Sequence, residues 1–150
     1  MANEGYLSGF RPVNADAKIR HLPIKASQTL TAGDAVILDS NQIAIGLAAS
    51  AELCGVVARD CASLAAGTLV PVYADPDEEF VCIADADSSS LGAGDYQDII
   101  GATGAMKMDA DASTTDVLTL LRANPDSTLT SANAQWIVKI ALHAFADVSS

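Results

Sequence analysis

The chain is short of positive charge. Of its 150 residues eight are Lys or Arg and 19 are Asp or Glu, a formal net charge of −11. Duplex binding needs clustered cations that release counterions from phosphates, so nucleic acid is excluded as the expected main partner, and an anionic membrane surface is disfavoured on the same ground. Aromatic residues make up only 5%. No run of 18 apolar residues is present, and the N-terminus lacks the basic-then-apolar order of a signal peptide, which predicts a chain made in the cytoplasm without a membrane span. The three cysteines, Cys54, Cys61 and Cys82, have no CxxC spacing. An odd, scattered set fits neither a zinc site nor a secreted disulfide framework and is expected to be buried as small hydrophobes. Catalytic phrases are missing too: there is no GxSxG, GxxxxGK[ST], GxGxxG or HExxH.

What is present is a hydrophobic half, 50% of residues, in which alanine alone takes 28 positions. A chain of this length buries roughly 68 to 70% of its unfolded surface, enough for one self-sufficient domain. The charge is uneven. Residues 1–25 carry Arg11, Lys18, Arg20 and Lys25 against Glu4 and Asp16, a balance of +2, and the remainder carries −13. The first stretch has no sustained period of 2 or 3.6, and it reads as an extended arm over residues 1–21 ahead of a domain over 22–150. A frayed terminus is the plain alternative. Tyr6, Leu7, Phe10, Arg11, Lys18 and Arg20 are the residues of this arm expected to meet a partner, being types enriched where proteins touch.

From residue 22 the pattern becomes short bursts of period 2 separated by turn residues. Leu22, Ile24 and Ala26 share a face. Val36 and Leu38, then Ile43 and Ile45, flank Ser40-Asn41 as a hairpin. Further strands are expected over 53–60, 69–74 and 79–84, with turns at LAAG (64–67) and DPDEE (75–79). In WIVKIALHAFA, Trp136, Val138, Ile140 and Leu142 point one way, Lys139, Ala141 and His143 the other, and the β-branched residues favour a strand over a helix. Residues 117–123 are ambiguous between the two, and SSSLGAGDYQDII (88–100) reads as a short helix or a surface loop carrying Tyr96. The whole predicts an all-β chain: a single small β-barrel or sandwich-like domain with an extended N-terminal arm and at most one short helix.

Three groups invite a chemical reading. His21 and His143 are the only imidazoles, and both are expected on the surface, His143 on the outer face of the last strand. Asp75, Asp77, Glu78 and Glu79 crowd one turn. Paired carboxylates serve glycoside hydrolysis at the correct separation, and an acid and base in the region 75–87 would make a small hydrolase or isomerase; adjacent in a turn, they read first as solvated turn chemistry. DADASTTD (109–116) opens like a calcium loop with Asp109, Asp111 and Ser113. It then places Thr114 where glycine is needed and Leu120 where a bidentate glutamate is needed. No cofactor or metal is expected.

The succession IKASQTLTAGDAVIL, LCGVVARDCASLAAGTLVPVYADPDEEFVCI and WIVKIALHAFA resembles the decoration, or cement, proteins of tailed-bacteriophage heads. In that class a strand leads into an AGD turn and hairpin, a GV strand follows, and a VPV strand precedes an apolar strand and a late closing strand. The resemblance spans about residues 22–146 and leaves residues 1–21 outside. It implies a non-enzymatic virion protein on the capsid exterior, usually a homotrimer, that binds the major capsid protein at subunit junctions and stabilises the shell. The arm would add main-chain hydrogen bonds by strand addition. A head-fiber or glycan-binding module is the competing expectation, for which Tyr73, Tyr96 and Trp136 are the aromatics available.

Overall fold

The computed structural model describes residues 9–14, 16–47, 50, 52–125, 127–130, 132–141 and 143–144. These form thirteen strands, and no helix occurs among them: β1 (Arg11–Pro12), β2 (Arg20–Pro23), β3 (Thr29–Leu30), β4 (Ala35–Asp39), β5 (Gln42–Ile45), β6 (Gly55–Val57), β7 (Cys61–Ala62), β8 (Leu69–Tyr73), β9 (Glu79–Ile83), β10 (Tyr96–Ile100), β11 (Lys107–Asp109), β12 (Leu118–Ala123) and β13 (Gln135–Ile140). Every strand pairing is antiparallel. A six-stranded sheet runs β1-β9-β13-β12-β10-β11, a five-stranded sheet runs β2-β8-β6-β4-β5, and β3 pairs with β7. The chain is therefore an all-β, sandwich-like domain.

Period-2 alternation explains how these strands pack. On the six-stranded sheet Phe80, Cys82, Leu118, Leu120, Trp136, Val138 and Ile140 turn inward. They meet Ala35 and Val56 from one face of the five-stranded sheet in a common core. The opposite face of the five-stranded sheet is buried as well. Val36, Ile43, Val57, Val70 and Val72 gather there with Ile24, Leu30, Cys54 and Cys61 into a second cluster. A parallel bridge between Ile24 and Ile43 draws the two edges of this sheet together, so its own side chains fill its interior. The middle layer, covered on both faces, explains a near-continuous apolar run such as AVIL in β4.

Local chemistry fixes the turns. Ser40 and Asn41 take φ of 53° and 69° between β4 and β5, the two left-handed residues of a tight hairpin. At Gly55 a Cβ would overlap the carbonyl oxygen of Tyr73 and lie 2.9 Å from Val72 Cγ1, so β6 and β8 pair closely only because the side chain is absent. The segment 88–100 forms no helix: Ser88 is buried beneath the Leu129 carbonyl, and Tyr96 opens β10. Ser88 Oγ accepts the indole N–H of Trp136 at 2.9 Å, which satisfies the one polar group of the largest core side chain.

Candidate docking surface

The polypeptide between Gly9 and Pro23 belongs to both sheets. β1 pairs with β9, Arg11 opposite Val81, and β2 pairs with β8, Arg20 opposite Val72. The expected division between arm and domain after residue 21 thus falls inside β2. Tyr6 and Leu7 lie outside the described residues. Phe10, expected to be exposed for a partner, is instead a core side chain at 3% exposure. Its burial follows from backbone anchoring on either side: Gly9 N–H donates to the Met106 carbonyl at 2.6 Å and Phe10 N–H to the Gly33 carbonyl at 2.8 Å. Gly9 and Gly33 have φ of 85° and 100°, and a Cβ on Gly33 would lie 3.3 Å from the Phe10 carbonyl oxygen.

Arg11, Lys18 and Arg20 are exposed, as are the apolar Val13 (44%) and Ile19 (46%) between them. β1 cannot take an added strand along this stretch. Pro12 has no N–H, and the N–H groups of Phe10 and Val13 are spent on the carbonyls of Gly33 and Glu79.

The buried polar groups around this segment are the ones that sequence reasoning missed. Asp34, within the TAGD turn, is 1% exposed. Its carboxylate accepts the Thr31 N–H at 2.8 Å, the Gly104 N–H at 2.9 Å and the Thr103 hydroxyl. It pins the 101–105 loop beside a groove of about 450 Å³ bordered by Phe10, Gly33, Asp34, Val57 and Tyr73. The only sequence signal was an acid at a turn position, which ordinarily points to solvent.

His143 is a second correction. Expected on an outer face, it is 4% exposed. Alternation ends with β13 at Ile140; Ala141 N–H then bonds the Val117 carbonyl, and the chain turns so that His143 bridges to Leu53. Burial, and then the nearby Arg20 cation, push its pKa down to about 4, with Asp75 and Asp77 pulling the other way. His21 is exposed, as expected.

The acidic turn is tied down as turn chemistry. Asp75 accepts the Asp77 N–H at 2.9 Å, Lys139 lies 3.6 Å from Asp77, and Arg122 lies 3.6 Å from Glu79. Partial burial, followed by Asp75 and Glu79, raises the pKa of Glu78. In the calcium-like loop, Asp98 reaches in from β10 and accepts the N–H groups of Thr114, Thr115 and Asp116 at 3.1, 2.8 and 2.8 Å. Burial alone would raise its pKa, but these donors outweigh it and hold the carboxyl below its usual value. The loop is organised around this carboxylate, and among the described residues no group of three His, Cys, Asp or Glu side chains converges as a metal site. All three cysteines are free and buried, with the Cys54 thiol pushed up to about 12 by desolvation.

No protein-family model matches the chain, and no curated protein matches it either.

Proposed function

We propose that the chain is a structural protein of a phage head that binds the outside of the capsid and braces neighbouring capsid subunits. The observation that supports this best is the segment from Gly9 to Pro23. It is held to both sheets by backbone bonds and by buried Phe10, yet it presents Arg11, Val13, Lys18, Ile19 and Arg20 outward from a body of strongly negative charge. Rigid backbone with exposed apolar and basic side chains suits a surface contact with acidic protein, where the cations speed encounter and the apolar groups slow release. Repetition over a symmetric shell multiplies weak single contacts through effective concentration. The order of strands and turns from residue 22 onward, with its resemblance to cement proteins, agrees with this reading.

Co-sedimentation with expanded, undecorated heads of candidate phages tests it. A truncation through residue 21 would remove β1, Phe10 and part of β2 and so damage the fold; the informative variants are a chain lacking residues 1–8 and the triple variant Arg11→Glu, Lys18→Glu, Arg20→Glu. Saturable binding of the intact chain at a fixed ratio to capsid subunits, weakened at least tenfold in the triple variant, is expected. Absence of binding to every shell, or binding indifferent to the three charges, would overturn the reading.

A further inference from the structure

Residues 84–116 carry seven aspartates and a single cation, Lys107. Most of that charge is used within the fold. Asp85 accepts the Ala110 N–H, Asp87 the Ser89 N–H, Asp109 the Asp111 N–H and Asp98 the N–H groups of residues 114–116, while Lys107 turns to Asn133. Asp95 and Asp116 differ, because they border one cleft of about 250 Å³ together with Gly94, Tyr96, Gln97 and Ser113. Its walls are fixed. Gly94 N–H bonds the Leu120 carbonyl and Leu120 N–H the Asp95 carbonyl, both at 2.8 Å, and Asp98 anchors the Asp116 N–H on the other side.

The side chains around this cleft are rich in acceptors and poor in donors. Asp95 spends one oxygen on the Gly92 N–H, and Asp116 Oδ1 is buried without a partner. Gln97, at 5% exposure, donates through Nε2 to the carbonyls of Asp109 and Ala112 at 2.8 and 3.1 Å, which fixes its amide. Among the described residues nothing donates to its Oε1. Buried acceptors of this kind call for a donor. Tyr96, 51% exposed, adds an aromatic ring, and no cation is among the described residues that border the cleft.

We infer that this cleft takes an arginine side chain presented by a partner protein. A guanidinium carries five N–H donors and no acceptor, the complement of an acceptor-rich lining. It pairs with carboxylate oxygens two at a time and stacks its plane on an aromatic face, so Asp95, Asp116 and Tyr96 all find a use. A neutral sugar needs donors as well as acceptors from its site. A divalent metal ion would engage the oxygens, but it finds only two carboxylates here and gives the Tyr96 ring no part. The volume lies below the roughly 300 to 1,000 Å³ of small-molecule sites and suits a single side chain. The inference does not depend on shell binding, which draws on the basic segment 9–23.

Amide chemical shifts of the isotope-labelled full chain, titrated with acetyl-Gly-Arg-Gly-amide, decide it. The same peptide with citrulline, the neutral isostere of arginine, calcium chloride and methyl glucoside are titrated in parallel. Saturable shifts centred on residues 94–97 and 113–116 are expected with the arginine peptide, weakening with salt and at least tenfold weaker with citrulline. Tyr96→Ala and Asp116→Asn should each raise Kd about threefold or more. Asparagine tolerates the left-handed backbone that Asp116 adopts at φ 55°, and Trp136 emission reports that each variant is folded. Asp87→Asn, at an exposed aspartate outside the cleft, should leave Kd unchanged and so separates this site from general attraction to an acidic chain. Shifts spread evenly over the acidic surface, binding indifferent to Tyr96 and Asp116, or a cleft that calcium or the glucoside fills while the arginine peptide does not, would overturn the proposal.

Discussion

At single residues the fold is held by a few buried polar groups whose partners are backbone and hydroxyl groups of neighbouring loops. Asp34 gathers donors from residues 31, 103 and 104, and Asp98 gathers three from 114–116, so each fixes a loop that has little apolar side chain of its own. His143 acts differently, because it is buried in its neutral form. The unfolded chain protonates it near 6.5 and the folded chain only near 4, so between those values the unfolded state binds more protons. Its contribution is fully present above pH 6.5 and is lost as pH falls toward 4, amounting to about 3 kcal/mol over the whole interval. Arg20, Asp75 and Asp77 modulate it. Carboxylates with lowered pKa, Asp39, Asp87 and Asp98, give way at lower pH. Urea unfolding at pH 7 and pH 4.5 separates the two: the native chain should lose about 2 kcal/mol more than His143→Gln over that step. Equal losses would place the acid sensitivity elsewhere.

At the scale of elements, what was legible was local. The hairpin about Ser40-Asn41, the LAAG and DPDEE turns and the inward set Trp136, Val138 and Ile140 all follow from period 2 and turn residues within ten positions of each other. Pairing across long separations was not legible. Nothing around Arg11 marks it as opposite Val81, and β1 is two residues long, too short to show a period. The same lack of pattern left Phe10 looking exposed, although Gly9 and Gly33 on either side of it were an indirect hint of close backbone approach. His143 was misread because the alternation of β13 was carried past its end. Gly55 shows how much such backbone contacts matter. Gly55→Ala puts a methyl against the Tyr73 carbonyl and Val72, within a pairing that joins β6 to β8. A loss of 2 kcal/mol or more is expected, about 4 to 8 °C in Tm for a chain of this size, against near-neutral behaviour for Gly92→Ala in open space. Equal melting temperatures for the two variants would refute the close-approach account.

For the molecule as a whole, the decisive feature is that one sheet serves two cores. The five-stranded sheet gives Ala35 and Val56 to the core shared with the six-stranded sheet and Val36, Val57 and Val72 to the cluster on its other face. Neither core survives the loss of that sheet, so the two clusters cannot melt in sequence even though they share almost no side chains. Each has its own reporter. Trp136, the only tryptophan, lies in the first, and the thiols of Cys54 and Cys61 lie in the second. In a Cys82→Ala background, urea titration followed by tryptophan emission and by thiol labelling should give coincident midpoints, the mark of all-or-none unfolding. A lower midpoint for labelling would show that the second cluster opens by itself. The interlocking extends to the first two strands, because β1 is bonded to the six-stranded sheet and β2 to the five-stranded one. The main chain that carries Arg11 and Arg20 thus draws on the global free energy, and a partner of the proposed docking surface would have to order only their side chains.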